Sequence, residues 1–193
     1  IFIPQGEFVA YGALTMAMLQ AGQVPGTVWL LMLLAVLAAL MECWSRWHHD
    51  RNLMHGIKSG VVMAIPPLLI ALVTLWAAPQ NFAMPVQALL SIAVVATFGP
   101  LVYRIAYQSL ESATPLVLLI VSVGVHFAMT GLGLLFFGAE GFRNPSFLTE
   151  NWSVGPLSIT GQVVIIFTTA LLLIGALWLF FERTLFGKAL RAT

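Results

Sequence analysis

Seven of the eight Lys and Arg residues fall into every second gap between six long apolar runs. The runs cover Glu7–Ala21, Val28–Met41, Val61–Ala78, Phe82–Tyr103, Pro115–Gly138 and Gly161–Phe181. Arg46, Arg51 and Lys58 share one gap, Arg104 stands in another, and Arg183, Lys188 and Arg191 fill the tail, while Arg143 alone occupies an alternate gap. A chain patterned in this way is expected to cross a bilayer repeatedly, and the side that carries the excess of positive charge is the cytoplasmic one. A soluble fold is excluded by composition: 8% of residues are charged, against about 25% in soluble domains, and 60% are hydrophobic with a mean hydropathy of +0.98. Barrel strands would alternate apolar and polar residues, whereas these runs are continuous. Helices, in contrast, pair every backbone group within their own segment. The expected fold is therefore all-α, a polytopic helical membrane protein with about six membrane segments forming one transmembrane domain over residues 1–193.

Several local features refine that outline. The run Glu7–Ala21 is short beside the roughly 20 residues of a full crossing, so it reads as half of a broken helix or as a span completed upstream. Glu7 falls in its first turn, where a carboxylate suits the positive end of the helix dipole. An interfacial cap is the favoured role for it, and a place in a transport path the alternative. Pro66-Pro67 lies inside an apolar run and is expected to bend or open that helix. Cys43 is the single cysteine, which leaves neither an internal disulfide nor a CxxC metal site. His48, His49 and His55 lie in a polar gap without an acidic or thiol cluster, so they read as a wet cytoplasmic connection rather than a metal site. No G-x-x-x-x-G-K-[ST] loop is present, so no ATP site, and no cofactor of any kind, is expected on this chain. The basic tail favours anionic membrane lipid; nucleic acid is not an expected partner. Ala139–Thr160 is the longest outer connection and suits a structured external loop that meets a partner.

Pro115–Gly138 carries Ser122, Gly124, His126, Ala128, Thr130, Gly131 and Gly133 at a depth where Leu and Val would satisfy lipid. Gly124 and Ala128 are four residues apart, as are Ser122 and His126, a spacing at which small residues permit close helix packing. His126 lies near mid-membrane and is expected to face protein or a cavity. A packing histidine bonded to another helix is the favoured reading, with a polar substrate path and a proton relay as alternatives. Ser122, Gly124 and His126 are the candidate path residues.

The tail, Glu182-Arg183-Thr184-Leu185-Phe186-Gly187-Lys188-Ala189-Leu190-Arg191-Ala192, resembles the E-R-T-x-x-G-R-A-x-R-A segment of LivH-type branched-chain amino acid permeases of ATP-driven import systems, with Lys188 in place of Arg. Gly6-Glu7-Phe8 followed by Gly12-Ala13 resembles that family's G-E-F-x-x-x-G-A stretch; Pro4-Gln5 and Leu14 depart from its Ala-His and Tyr. Tyr103-Arg104, Tyr107 and Pro115-Leu116 resemble its E-R-x-x-Y-R-P-L-R-x-x-x-P-L segment, although Gln108, Ser109 and Glu111 break the basic pattern. Leu119 to Gly124 is similar to its L-I-x-T-I-G stretch. The matches follow the family's order along nearly the whole chain.

The resemblance implies a permease subunit in the bacterial inner membrane, not an enzyme, that carries a branched-chain or related amino acid. It implies a homologous LivM-type permease subunit, two cytoplasmic ATPase subunits that hydrolyse ATP with Mg, and a periplasmic substrate-binding protein. It marks Gly6, Glu7, Phe8, Gly12, Gly187, Lys188 and Arg191 as motif residues. Import of urea or an amide on the same scaffold, and an ion-coupled secondary carrier, are the alternatives. Against the family pattern, residues 28–78 form an added hairpin, and the expected first helix and the C-terminal coupling region are lacking, so the chain reads as a fragment of a longer permease that should not transport alone. Cysteines placed at positions 58 and 188 are expected to react with a membrane-impermeant maleimide from the same face, and one at position 143 from the opposite face. Labelling of positions 58 and 188 from opposite faces would overturn the topology.

Overall fold

Each apolar run becomes a helix in a computed structural model that describes residues 3–50, 53–154, 157–184 and 187, with backbone alone at 46–50, 53–57, 154 and 157. The elements are α1 (Gln5–Gln20), α2 (Gly26–Asp50), α3 (Leu53–Ala77), α4 (Met84–Val102), α5 (Pro115–Phe137), β1 (Asn151–Val154), β2 (Leu157–Thr160) and α6 (Gly161–Arg183). Among the described residues, five helical stretches are long and apolar enough to cross a membrane: Gly26–Ser45, Lys58–Gln80, Met84–Leu110, Pro115–Phe137 and Gly161–Arg183. The expected all-α, multi-pass fold holds, and α1 is the exception in length. At 16 residues and 1.5 Å per residue, α1 is ~24 Å long, short of a hydrocarbon core of about 30 Å. The chain divides into two compact units, Ile1–Asn144 and Pro145–Thr193.

In the first unit α2 and α3 form a closely packed antiparallel pair. Val28, Leu31, Ala35, Ala38 and Glu42 are buried along α2, and Gly60, Ala64, Pro67, Ala71 and Thr74 along α3. Both sets alternate steps of three and four, the 3.5-residue period of a helix-to-helix seam. Most of these residues are small, which lets the two backbones approach. A Cβ on Gly60 would stand 2.9 Å from the carbonyl oxygen of Ala39. α3 continues unbroken through Pro66 and Pro67, so the expected opening is absent. The prolines remove the donors for the carbonyls of Val62 and Met63, while the seam keeps the helix in place on both sides of them.

The other three helices of this unit gather around Tyr11. Its ring stands 5.7 Å from that of Phe98 on α4 and 6.1 Å from that of Phe137 on α5, centroid to centroid. Val28, Leu30, Leu31, Val94, Phe98 and Met129 complete the buried core beside it. α5 starts on Pro115, whose missing N–H costs nothing in a first turn, and stops at Gly138, held at φ +78°. Beyond α4 the chain widens into a π turn at Tyr103–Tyr107 and then tightens into a 3-10 turn at Gln108–Leu110.

In the second unit β1 and β2 pair antiparallel, with Trp152 opposite Ile159, a hairpin within the stretch that the sequence reads as a structured loop. The loop is fastened to the start of α6: the N–H of Gly161 donates to the Glu150 carbonyl at 2.7 Å, and that of Phe147 to Oε1 of Gln162 at 2.8 Å. At the other end of α6, Thr184 Oγ1 donates to the Phe180 carbonyl at 2.7 Å and accepts from the N–H of Gly187 at 3.0 Å. A Cβ on Gly187 would lie 2.6 Å from Phe180 O, so Thr-x-x-Gly is a physical unit in which the glycine makes room for the closing turn.

Gly60→Leu should overpack the α2–α3 seam and destabilise the protein by ~1–3 kcal/mol, seen as a lower unfolding midpoint in detergent. Gly99→Ala, where a Cβ meets nothing within 4 Å, should leave the midpoint unchanged or raise it, because alanine is the better helix former.

Candidate functional site

The candidate path residues do not share one face of α5. Ser122 is fully buried and shares a 2.9 Å hydrogen bond with the hydroxyl of Tyr107, which ties α5 to the π turn after α4. Gly124 is exposed, and a Cβ there would meet nothing within 4 Å. The close packing expected of Gly124 is found at Gly133 instead, where a Cβ would come 3.2 Å from the Tyr11 ring. His126 turns toward α1, and its Nδ1 lies 2.5 Å from Oε1 of Glu7.

The pair Glu7–His126 is the centre of the site. His126 lies at the middle of the 23-residue α5, so Glu7, in the first turn of α1, is at mid-depth rather than at the interface expected for a cap. Further contacts run in parallel register: the hydroxyl of Tyr11 donates to the carbonyl of Met129 at 2.5 Å, and Nδ2 of Asn144 donates to the carbonyl of Ala13 at 3.1 Å. Thus α1 begins near the middle of α5 and runs beside its C-terminal half, as half of a broken helix would. The Glu7 side chain is 14% exposed and that of His126 38%. The Nδ1 contact has the distance of an ion pair but lacks the alignment of a hydrogen bond, and Oε2 of Glu7 is buried without a partner.

A cleft of about 280 Å³ opens between α1 and α5, lined at its polar points by Glu7, Tyr11, Thr130 and Glu140. Tyr11 also borders a second cavity, of about 220 Å³ and wholly apolar, among α1, α2, α4 and α5.

The other motif residues serve the frame. Gly6 lines the cleft, and Phe8 packs against the core. The carbonyl of Gly12 accepts a 2.6 Å hydrogen bond from Ser91 Oγ on α4, and a Cβ at Gly12 would lie 3.7 Å from Val95. Lys188 and Arg191, and the side chains of His48, His49 and His55, lie outside the described residues.

The chain resembles a bacterial permease. It is 28% identical over 149 residues to the high-affinity branched-chain amino acid transport system permease protein BraD of Pseudomonas aeruginosa. The match covers 73% of this chain and 48% of that protein, so the chain spans about half the length of the curated relative it matches. No family model matches the chain, and no solved structure does. With its apolar helices, this distant relationship places the chain as a multi-pass protein of a bacterial inner membrane.

A second polar cluster joins α2, α3 and the π turn after α4. Glu42 on α2, only 4% exposed, is paired with Arg104 of the π turn and accepts a 2.8 Å hydrogen bond from Ser59 Oγ on α3. The pair borders a cleft of about 600 Å³ that also touches Trp44, Gln108 and Ser109. The sequence places Glu42 just past an apolar run, as if in water; it is buried because α2 continues to Asp50 and Arg104 folds back on it. Tyr11 and Tyr107 are likewise invisible as site residues from sequence, although a tyrosine and a threonine four residues apart in an apolar run, Tyr11 and Thr15, is a sign of polar contacts at depth.

Glu42→Ala leaves a partly buried guanidinium unpaired and should cost about 2–3 kcal/mol, somewhat less than the ~3–5 kcal/mol of a fully buried pair. Glu42→Met combined with Arg104→Met removes both charges and should recover most of that loss in thermal unfolding of the detergent-purified protein.

Proposed function

We propose that this chain is part of the transmembrane permease subunit of an ATP-driven importer for branched-chain or related amino acids. The observation that carries the reading is the pair Glu7–His126, held at mid-depth beside a small cleft in a bundle whose sequence is similar to BraD. Ionisable groups are costly at that depth, and substrate pathways are where such a cost is met. The cleft is smaller than the roughly 300–1,000 Å³ of pockets for drug-sized ligands, which suits a solute as small as an amino acid.

On this reading, the cleft between α1 and α5 belongs to the substrate path. His126 stands behind it through Glu7, Ser122 braces α5, and Gly124 lies on the open face of α5, where a homologous LivM-type permease subunit would pack. A periplasmic binding protein delivers the solute at the outer ends of the helices. Two cytoplasmic ATPase subunits hydrolyse ATP with Mg and engage the side marked by Arg104. The protein performs no covalent chemistry on the solute. Its two conformations differ in their contacts, and ATP binding in the partners shifts the balance between them.

The same pair of ionisable side chains also favours a second reading, an ion-coupled carrier that moves a proton with its substrate. Uptake in the complete system separates the two. In proteoliposomes holding the full-length permease and its partner subunits, labelled amino acid should accumulate only with ATP inside on the ATPase face, and a protonophore should leave the rate unchanged. Accumulation driven by a proton gradient without ATP would replace the importer with the carrier.

A further inference from the structure

Polar groups in the α1–α5 cleft fall into two sets, those already engaged and those open. The hydroxyl of Tyr11 is committed to the Met129 carbonyl at 2.5 Å, and Thr130 Oγ1 donates to the His126 carbonyl at 2.9 Å. The carboxylate of Glu7 is engaged on one oxygen only: Oε1 faces Nδ1 of His126, while Oε2 is buried with no partner. A carboxylate oxygen is an acceptor without a donor, and a buried one left unmatched is costly. Glu140, at the far end of the cleft, adds a second carboxylate, and no Lys or Arg is among the lining residues. The remaining walls are apolar, with Ala10, Leu14, Leu134 and Phe137 among them.

We infer that the carboxylate of Glu7, which lines the cleft, is the recognition point for a cationic primary ammonium group on the transported solute, with His126 as the residue that positions it. The inference rests on the permease reading above and deepens it by naming the feature of the solute that the site selects. An ammonium group supplies up to three donors and a positive charge, which match a carboxylate with one unpartnered oxygen beside a cleft whose ionisable lining is acidic. Charge-assisted hydrogen bonds of this kind are the strong ones. Urea and simple amides bring donors but no charge, and a carboxylic acid without the amine brings a second negative charge toward Glu7 and Glu140. The apolar walls then take the solute's side chain. His126 does not line the cleft, so it acts through Glu7, by standing against Oε1 while Oε2 is left without a partner.

The test is uptake by the full-length permease assembled with its partner subunits in proteoliposomes, with radiolabelled L-leucine, L-alanine and urea as probes. 3-Methylbutylamine, which keeps the ammonium, and 4-methylpentanoate, which keeps the carboxylate, serve as competitors of leucine. Wild-type protein is expected to carry the amino acids but not urea, and to be inhibited by the amine at least tenfold more strongly than by the acid. Glu7→Gln should raise KM for leucine at least tenfold with little change in the maximal rate and should abolish inhibition by the amine. Glu7→Asp should retain part of both. His126→Leu should raise KM in the same direction, with partial rescue in His126→Asn. Stronger inhibition by the acid than by the amine in the wild type overturns the inference even where a Glu7 variant fails to reach the membrane. So does an unchanged KM in Glu7→Gln. Uptake of urea alone overturns it while the permease reading stands, and no ATP-dependent uptake of any probe removes the permease reading itself.

Discussion

The position of α1 depends on the side chain of Tyr11. In lipid the hydrophobic effect does not drive one apolar helix against another, so packing and hydrogen bonds decide which helices meet and at what height. Tyr11 supplies both, with its hydroxyl on the Met129 carbonyl and its ring between Phe98 and Phe137. Gly133 clears the space that the ring fills. Once this register is set, Glu7, one turn earlier on α1, arrives at His126, one turn earlier on α5. The Glu7–His126 contact is thus a consequence of where the tyrosine docks.

Hydroxyl and amide side chains fasten the rest of this short helix. Thr15 donates to the carbonyl of Tyr11 at 2.6 Å and lies 2.7 Å from the hydroxyl of Thr27, at the start of α2. Ser91 and Gln87 on α4 reach the carbonyls of Gly12 and Leu19. Polar contacts therefore link α1 to α2, α4 and α5. A helix too short to span the membrane is held at its height by partners on three sides.

The apolar runs made most of the fold readable. Pro115–Gly138 and Gly161–Phe181 differ from α5 and α6 by at most two residues, because a first-turn proline, a terminal glycine at positive φ and a basic last turn are all local signals. α2 extends nine residues beyond its apolar run, from Met41 to Asp50, since hydropathy reports the solvent around a helix and not its backbone hydrogen bonds. His126 was legible as a polar residue at depth. Its partner was not, since Glu7 lies 119 positions away and only the parallel docking of α1 on α5 brings the two together. Local chemistry likewise placed Glu7 and Glu42 near segment ends, where water would be expected; a half-length helix and a folded-back arginine bury them instead.

The seam between α2 and α3 has a thermodynamic consequence of its own. Glycine, alanine and proline have essentially no rotamer freedom to lose on burial, and Ala35, Ala38, Gly60, Ala64, Pro67 and Ala71 are six of the ten residues buried along the seam. The two helices therefore associate with a reduced loss of side-chain entropy. In a solvent where burying apolar surface against protein gains little over leaving it against lipid, that small entropic cost lets dispersion across a close backbone approach hold the pair together.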